Sequence, residues 1–402
     1  MPRSKDGGGF SGPLSVIAVA SIALGVVVMV MAVSILRGFQ GEIANKVVGF
    51  GSHLTVSNYA INPTYQETPV TMDGALTDSL RSIPGVRHLQ SFATKGGMVK
   101  TKEQIYGILL RGVSADYDPS FFNENLTDGR LPDLTSEKAS NEVLISSTIA
   151  NKMRLKVGDK MNTYFLDDDA KPRSRPFVIS GIYNTDLPEV DELYVIGDIR
   201  QVQKLNYWGN EQVGGYELLI DDFDQLKETK ASVMNTLTRN TRYDLTVHTI
   251  KEANPALFAW LDLLNSNITL ILIIMSVVCS VAIVSALLIM IFEKSRTIGI
   301  LKSLGACNAS IRRIFILKAS RLILEGIGIG IAVSGALCFL QSKWEVVKLD
   351  PESYHMSHVP VDTNPWIFLA ISASTALVCM LALLLPAAYI SHISPAKTIK
   401  TE

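Results

Sequence analysis

The fold is decided by the stretch SNITLILIIMSVVCSVAIVSALLIMIFEKSRTIGILKSLGA, Ser266–Ala306. Up to Phe292 it contains no Asp, Glu, Lys or Arg, and from Glu293 it becomes short, basic and amphipathic. A spanning helix needs about 20 apolar residues, because each residue adds about 1.5 Å and the hydrocarbon core of a bilayer is about 30 Å thick. The stretch therefore predicts a transmembrane helix that ends directly in a basic segment.

Three other long apolar runs occur in the chain, whose composition is 48% hydrophobic and only 19% charged. We predict four transmembrane helices, at residues 14–36, 268–292, 322–340 and 366–388. A buried core helix is the alternative for each run, but core helices rarely stay so free of charge over this length. The first run exceeds the apolar core of about 7–15 residues in a signal peptide and is not followed by a small-residue cleavage pattern, so we interpret it as an uncleaved anchor.

The distribution of Lys and Arg near the spans predicts which side of the membrane each loop occupies. The loop 293–321 sets one acidic residue, Glu293, against the basic residues Lys294, Arg296, Lys302, Arg312, Arg313, Lys318 and Arg321. The loop 341–365, in contrast, is richer in acidic residues than in Lys. The N-terminus at 1–13, the loop 293–321 and the tail at 389–402 are therefore predicted to be cytosolic, and residues 37–267 and 341–365 to lie outside.

The large outer segment predicts a mixed α+β domain. Short runs rich in β-branched residues, such as HLTVSN and RPFVISGIY, alternate with helical candidates and are separated by Gly, Pro, Asn and Asp. The stretches RGFQGEIANKVVGFG and NPALFAWLDLLNSN predict helical stalks that join this domain to the first and second spans. The pattern leaves open whether the domain has one or two subdomains. The predicted fold class is a membrane protein with four transmembrane helices and a large α+β extracytoplasmic domain inserted between the first and second.

A polar loop between two predicted strands, FLDDDAKPRSRPFVI at Phe165–Ile179, allows two interpretations. It is either an exposed hairpin turn, whose conformation is limited by its prolines, or a hook that is presented to another protein. The sequence alone favours the exposed turn.

The sequence lacks the motifs of an enzyme. It contains no G-x-x-x-x-G-K-[ST] phosphate loop, no H-E-x-x-H zinc motif and no G-x-S-x-G nucleophile motif. His355 and His358 lack a third ligand, so we interpret them as surface residues rather than as a metal site. Glu325 lies near the start of the third span. A carboxylate at this position can reach water or a cytosolic Arg, which we consider a better explanation than a functional role. The net charge of −1 gives no indication of a nucleic-acid partner. We therefore predict no catalytic residue, metal site or cofactor in this chain.

The basic segment after the second span predicts a short amphipathic helix. Ile298, Leu301 and Leu304 recur at a spacing of three residues, and Gly305 is a natural helix stop. Asn308 or Ser310 would then cap the helix that enters the third span. Such a helix either anchors the loop at the membrane surface or docks in a groove of a cytosolic motor protein, and the residue pattern fits both.

The segment EKSRTIGILKSLGA resembles the signature that follows the second span in the FtsX/MacB-type ABC permeases. Three further stretches are similar to this superfamily: the opening LSVIAVASIALGVVVMVMAVSILRGFQGEIANKVVGFGSHLTV, the outer-domain stretch NEVLISSTIANKMRLKVGDKMNTYF and the closing PAAYISHISPAKTIK. The opening stretch resembles in particular the lipoprotein-releasing (LolC/LolE-type) permeases. The resemblance extends over the whole chain and implies a bacterial inner (cytoplasmic) membrane, with the large domain in the periplasm.

This resemblance implies a non-catalytic permease subunit that works with a second permease chain, either a paralogue or a second copy. It also implies separate cytosolic ATPase subunits, which bind ATP and Mg²⁺. The partners implied on the other side are triacylated lipoproteins and a soluble periplasmic carrier. The residues that would insert into the ATPase groove are Glu293, Lys294, Arg296, Ile298, Gly299, Ile300, Leu301, Lys302, Leu304, Gly305 and Ala306.

The resemblance further implies that a lipoprotein enters from the outer leaflet, between the first span of one chain and the second span of the other. Burial of acyl chains is worth about 0.8 kcal/mol per CH₂, so extraction requires an apolar host. The expected lining residues are Val26, Met29, Val30, Val33, Ile271, Ile274, Met275 and Val278. The hairpin residues that would contact the carrier are Asp167, Asp168, Asp169, Lys171, Pro172, Arg173 and Arg175.

The third span contains Gly326 and Gly330 in a G-x-x-x-G arrangement, which predicts close packing against the fourth span or a partner chain. Two other members of the superfamily offer alternative functions: an FtsX-like signalling permease that controls periplasmic cell-wall hydrolases, and a MacB-like efflux permease with a separate ATPase. A passive membrane-anchored binding protein is a further alternative, which would make no use of the segment Glu293–Ala306.

Overall fold

The computed structural model describes residues 11–59, 67–101, 104–166, 172–350, 354, 356–384 and 386, without the side chains of 11–14 and 224. The chain forms two compact units. The helical unit comprises Met1–Gly41, Ala259–Lys348 and His358–Glu402, and the sheet unit comprises Glu42–Phe258 and Leu349–Ser357. The tail predicted at 389–402 and most of the N-terminus predicted at 1–13 lie outside the described residues.

The helices are, in chain order, α1 (Ser11–Gly51), α2 (Gly74–Arg81), α3 (Ser120–Glu124), α4 (Ser147–Met153), α5 (Pro188–Asp191), α6 (Ile199–Leu205), α7 (Leu226–Arg239), α8 (Ile250–Ala253), α9 (Pro255–Glu293), α10 (Ser295–Ser303), α11 (Asn308–Trp344) and α12 (Pro365–Ala382). The strands are β1 (Leu54–Asn58), β2 (Val86–Lys100), β3 (Ile105–Val113), β4 (Leu126–Gly129), β5 (Glu142–Ser146), β6 (Lys160–Leu166), β7 (Pro172–Tyr183), β8 (Tyr194–Asp198), β9 (Gly215–Ile220) and β10 (Leu245–Thr249). All of these strands lie between α1 and α9 in chain order, as the sequence predicts.

In the described part of the chain, four helices are long and apolar enough to cross a membrane: α1, α9, α11 and α12. The first three contain the predicted spans 14–36, 268–292 and 322–340, and α12 ends at Ala382, before the predicted end at residue 388. The helices α1 and α9 also include the stretches predicted as stalks, because each helix continues without a break beyond its apolar part.

The core of the helical unit contains one side of each of these four helices. At two glycines α11 lies very close to α1. A Cβ built on Gly326 would lie 2.9 Å from the Cβ of Ile22, and one built on Gly330 would lie 2.7 Å from the Cβ of Val26. These two glycines therefore pack against the first span rather than against the predicted fourth span. Small residues indicate a close helix contact, but their spacing does not identify the helix that makes it.

The sheet unit contains one ten-stranded sheet in the order β10-β1-β9-β2-β3-β8-β5-β7-β4, with β6 paired to both β2 and β7. Most neighbours are antiparallel, whereas β3 pairs with β8 and β5 pairs with β7 in parallel. The long strand β2 joins the two parts of the sheet, because its first half pairs with β9 and its second half with β3. The outer domain is therefore a single α+β unit rather than two subdomains.

Several helices of the sheet unit begin at capping residues that the sequence provides. The Asp73 carboxylate accepts from the Leu76 amide at 2.9 Å, and the Ser146 hydroxyl accepts from the Ile149 amide at 3.0 Å. At α8, Thr249 and Glu252 form a capping box. Such caps satisfy amides that have no partner inside the helix, which fixes where each helix starts.

Candidate functional site

The segment Glu293–Ala306 forms a short helix that follows the second span almost directly. α9 ends at Glu293 and α10 begins at Ser295, so one residue separates them. Gly305 has φ +93°. Its amide donates to the Lys302 carbonyl at 3.1 Å, and the Ala306 amide donates to the Leu301 carbonyl at 2.9 Å. This bond pair is a Schellman motif, so the predicted helix and its glycine stop are confirmed.

The apolar residues of α10 divide between two environments. Ile298 is 1% exposed and belongs to the core of the helical unit, and Gly299 beside it is also buried. Ile300, Leu301 and Leu304 are 46%, 37% and 79% exposed; we call these three residues the apolar row. Ile298 therefore packs among the spans, while Leu301 and Leu304, which share its spacing of three residues, lie on the surface.

Several basic residues lie near the apolar row in sequence. The exposed ones near it in sequence are Lys294, Arg296, Arg312 and Arg313; Glu293 is exposed too, and Lys302 and Ala306 are partly exposed. The next helix, α11, begins after Cys307, whose carbonyl accepts from the amides of Ser310 and Ile311. The prediction that Asn308 or Ser310 caps this helix is therefore wrong, because Cys307 occupies the cap position without a side-chain bond.

The two predicted linings of the acyl-chain cavity have different environments in the single chain. The α1 residues in the core of the helical unit, each no more than 2% exposed, are Val26, Met29 and Val30. On α9, the outward-facing residues are Ile271, Ile274 and Val278, at 38%, 51% and 46% exposure. Val33 and Met275 are partly buried against the core. In the single chain the glycines of α11 lie against this face of α1, and the lining of a cavity between two chains stays a prediction.

The predicted hairpin is present, and it belongs to the large sheet. β6 pairs with β7 along its whole length, and its end also pairs with β2. The four hairpin residues that lie outside the described ones are Asp167, Asp168, Asp169 and Lys171. Pro172 is exposed, Arg173 and Arg175 are partly buried, and the Arg173 guanidinium lies 4.6 Å from the ring centroid of Tyr207. Contact of this hairpin with a carrier remains a prediction.

The other polar residues that the sequence singled out have structural contacts. The Arg321 guanidinium donates from Nε to the Glu325 carboxylate at 2.8 Å, so Glu325 pairs with an arginine as expected. His358 forms an isolated β-bridge with Lys348, and His355 lies outside the described residues. Among the residues that the structure describes, no three His, Cys, Asp or Glu side chains are grouped as metal ligands would be.

Two family models match this chain. The FtsX-like permease C-terminal model matches residues 269–395, and the MacB-like periplasmic core domain model matches residues 15–236, which is more than half of the chain. The chain belongs to the FtsX/MacB superfamily of permeases. Its sheet unit and first span thus correspond to the periplasmic-core part of this family, and its last three spans to the permease part.

Relatives of this permease extend over its full length. The lipoprotein-releasing system transmembrane protein LolC of Neisseria meningitidis is 21% identical over 100% of this chain and 97% of its own length. LolC of Xylella fastidiosa (strain Temecula1) is 22% identical over 100% and 97%, and LolE of Haemophilus influenzae is 21% identical over 94% and 92%. The resemblance to LolC/LolE-type permeases is therefore confirmed.

Two solved structures that are similar to part of the permease are outer domains. The extracellular domain of the noncanonic ABC-type transporter YknZ from Gram-positive bacteria is 16% identical, with a TM-score of 0.35, and the match covers 49% of this chain and 99% of that one. The periplasmic region of MacB from Actinobacillus actinomycetemcomitans is 12% identical, with a TM-score of 0.36, over 52% and 95%.

The sheet unit of the permease holds the end of α1 at a loop that sequence reasoning missed. Lys46 on α1 donates from Nζ to the Thr185 carbonyl at 2.9 Å and lies 3.4 Å from the Asp186 carboxylate. One turn further, the ring of Phe50 lies edge-on to Tyr194, with 4.6 Å between centroids. These contacts fix the last turns of the first stalk helix within the sheet unit.

The loop that receives Lys46 depends on a buried carboxylate. Asp191 is 4% exposed, and its carboxylate accepts from the Thr185 amide at 3.1 Å and from the Thr185 hydroxyl at 2.9 Å. Burial raises the pKa of Asp191 to about 6, although the bonds from Thr185 oppose this rise. Protonation of Asp191 would therefore change the bonds that position Thr185, whose carbonyl accepts from Lys46.

Replacing Lys46 with methionine is expected to loosen the end of α1. Methionine keeps an apolar stem of similar length but loses a charge-assisted hydrogen bond, which contributes about 1.5–3 kcal/mol. Amide hydrogen exchange of residues 43–51 should therefore become at least about tenfold faster, since about 1.4 kcal/mol corresponds to a factor of ten. The exposed neighbour Asn45, replaced by methionine in the same turn, is the control. Equal exchange in both variants would show that Lys46 does not hold the stalk.

Replacing Asp191 with asparagine should change how stability depends on pH. Between the ordinary pKa of 3.8 and the folded-state value of about 6, the folded protein holds more protons at this carboxyl than the unfolded protein does. This carboxyl therefore stabilises the fold less as pH rises through that window. We expect the variant to gain about 2–3 kcal/mol relative to the wild type between pH 4 and pH 7, measured by denaturant unfolding. Parallel curves of stability against pH for the wild type and Asp191→Asn would contradict the assignment.

Proposed function

We propose that this permease is the membrane subunit of an ATP-driven transporter that extracts lipoproteins from the outer leaflet of the bacterial inner membrane. The lipoproteins would then pass to a soluble periplasmic carrier for delivery to the outer membrane. Support comes from its full-length relatives, which are named lipoprotein-releasing system transmembrane proteins. ATP and Mg²⁺ would be bound by separate cytosolic ATPase subunits, and a second permease chain would complete the assembly.

The observation that carries this proposal is the divided environment of α10. Ile298 lies in the core of the helical unit, while the apolar row of Ile300, Leu301 and Leu304 lies on the surface of the same short helix. If a groove of an ATPase receives this row, the same helix contacts the ATPase on one side and the spans on the other. Movement of the ATPase would therefore be transmitted to α9 and α11 through Ile298. A membrane-surface anchor would need the exposed row but not the packed Ile298.

The acyl chains of the cargo require an apolar surface that is open to the outer leaflet. On α9, the apolar side chains of Ile271, Ile274 and Val278 are exposed in the single chain. With the second permease chain opposite, this surface would form one wall of the entry site. The host is needed because each CH₂ moved from lipid to water costs about 0.8 kcal/mol, which amounts to tens of kcal/mol for three acyl chains.

The proposal is tested by reconstitution. The chain is co-expressed with the ATPase encoded nearest to it, and the complex is placed in liposomes loaded with a triacylated lipoprotein. ATP and a periplasmic carrier are added, and the soluble lipoprotein is measured. Release that requires both ATP and carrier is the expected result. An ATPase that this chain stimulates without any release would overturn the proposal and favour FtsX-like signalling or MacB-like efflux.

A further inference from the structure

The first turns of α11 expose apolar side chains before the predicted third span begins. One side of these turns packs in the core of the helical unit, through Phe315, Ala319, Leu322 and Ile323. On the opposite side, Ile314, Leu317 and Leu324 are 58%, 61% and 66% exposed. Their spacing of three and seven residues puts all three on one side of a helix. The same exposed side therefore continues from the predicted loop into a segment that a bilayer surrounds.

Two basic residues lie beside these apolar side chains. Lys318 is exposed and has no ion-pair partner in the described part of the chain. Arg321 donates from Nε to the Glu325 carboxylate at 2.8 Å, and its side chain is 81% exposed. A guanidinium has four further N–H donors, which can bind the oxygens of a phosphate. Two cations and one carboxylate leave a net positive charge on this side of the helix.

The rise of the helix puts these two cations at the depth of phospholipid headgroups. The polar layer on each side of the hydrocarbon core is about 5–7 Å thick. At about 1.5 Å per residue, Arg321 lies about 1.5 Å and Lys318 about 6 Å outside the predicted start of the span at Leu322. Arg312 and Arg313 lie about 13–15 Å outside it, beyond the headgroup layer. Lys318 and Arg321 are three residues apart, so one phosphate can contact both.

We propose that this side of α11 binds an anionic phospholipid, whose phosphate contacts Lys318 and Arg321 and whose acyl chains lie along Leu324 and Gly328. Gly328 is exposed, and an added Cβ there meets no atom within 4 Å, so the helix surface leaves room for an acyl chain. The net positive charge selects a headgroup with net negative charge, since basic residues near a membrane surface attract anionic lipids. Such a site needs only that α11 spans a membrane, and it is independent of lipoprotein release.

Site-specific photocrosslinking to lipid tests this proposal. The complete complex with its ATPase is placed in nanodiscs that contain phosphatidylglycerol and phosphatidylcholine in equal amounts. The photoreactive residue p-benzoylphenylalanine replaces Gly328, about 9 Å inside the predicted span. Gly335 on the same helix has the same free space, but it lies about 20 Å inside, past the middle of the hydrocarbon core, and is the matched control. Crosslinked lipids are identified and counted by mass spectrometry.

Two charge reversals separate the proposed site from general attraction to the surface. Lys318→Glu reverses a charge at headgroup depth and breaks no described ion pair. Arg313→Glu makes the same change of net charge on the same helix, at an exposed position beyond the headgroup layer. Lys318→Gln, which only removes the charge, is the milder second variant. The unfolding midpoint of each variant in detergent shows whether it is folded.

The expected ratio of phosphatidylglycerol to phosphatidylcholine is about fivefold higher in crosslinks from position 328 than in those from position 335. Lys318→Glu should abolish this preference, Lys318→Gln should lower it, and Arg313→Glu should leave it unchanged. Equal ratios at the two positions would overturn the proposal. An equal effect of Lys318→Glu and Arg313→Glu would also overturn it, because the attraction would then be diffuse. Crosslinks from position 328 to a protein chain of the complex would show that protein and not lipid covers this side.

Discussion

Replacing Gly330 with valine is expected to destabilise the helical unit by about 3 kcal/mol or more. A Cβ at this position would lie 2.7 Å from the Cβ of Val26 and 3.0 Å from the carbonyl oxygen of Ala23. Both atoms belong to α1, and one of them is backbone, so a rotamer change cannot relieve the clash. Overpacking of a close contact typically costs about 1–3 kcal/mol, and a contact between two helix backbones is at the upper end of this range. The measurement is the thermal unfolding midpoint of the purified chain in detergent.

Two glycines on the same helix provide the control for Gly330. An added Cβ at Gly328 or Gly335 meets no atom within 4 Å. Valine at either position tests the effect of a β-branched residue in α11 without the clash against α1. We expect unfolding midpoints close to that of the wild type for both controls. If Gly330→Val unfolds at the same temperature as Gly328→Val, the packing of α11 on α1 described above is incorrect.

The four spans could be predicted from sequence because the bilayer fixes their length and excludes charge. The sequence also contains the signal for the close contact between α1 and α11, namely Gly326 and Gly330. It does not identify the helix that these glycines contact, because several apolar helices present similar side chains. Only the packed bundle decides between them. The same ambiguity affected Val26, whose apolar character suits a lipid-facing wall as well as a protein core. Burial of this kind depends on the arrangement of all four helices.

The helix α10 was predicted correctly, but its sequence did not reveal that its apolar side chains lie in two environments. The spacing of Ile298, Leu301 and Leu304 indicates one apolar face when the helix has one apolar neighbour. Here Ile298 meets the spans, and the other two side chains lie on the surface. A periodicity argument cannot distinguish one environment from two over a helix of nine residues.

The anchoring of the first stalk could not have been found from the chain alone. Lys46 and Thr185 are 139 positions apart, and they meet only because the sheet brings the loop before β8 to the end of α1. The local signal was the acidic stretch TDLPEVDE, in which Asp191 follows a proline turn. That signal is compatible with an ordinary exposed loop, and only the burial of Asp191 reveals its role.

Replacing Gly305 with valine is expected to reduce ATP-dependent lipoprotein release by at least about tenfold. Gly305 has φ +93°, a conformation that a β-branched residue adopts only with strain of about 1–3 kcal/mol. An added Cβ meets no atom within 4 Å, so the cost comes from the backbone and not from crowding. To relieve the strain the Schellman turn must open, and the apolar row would then lose its fixed position relative to Ile298. Release in the reconstituted complex, per ATP hydrolysed, is the measured quantity.

Asparagine at the same position shows whether the loss of release comes from backbone strain or from the absence of glycine itself. Asn tolerates positive φ better than other non-glycine residues, so Gly305→Asn should retain much of the release that Gly305→Val loses. The turn is exposed and can open locally without disturbing the core, so both variants should unfold at temperatures close to that of the wild type. This distinguishes a coupling defect from a folding defect. Full release by Gly305→Val would mean that the end of α10 does not transmit the ATPase movement, and the coupling role of the apolar row would be wrong.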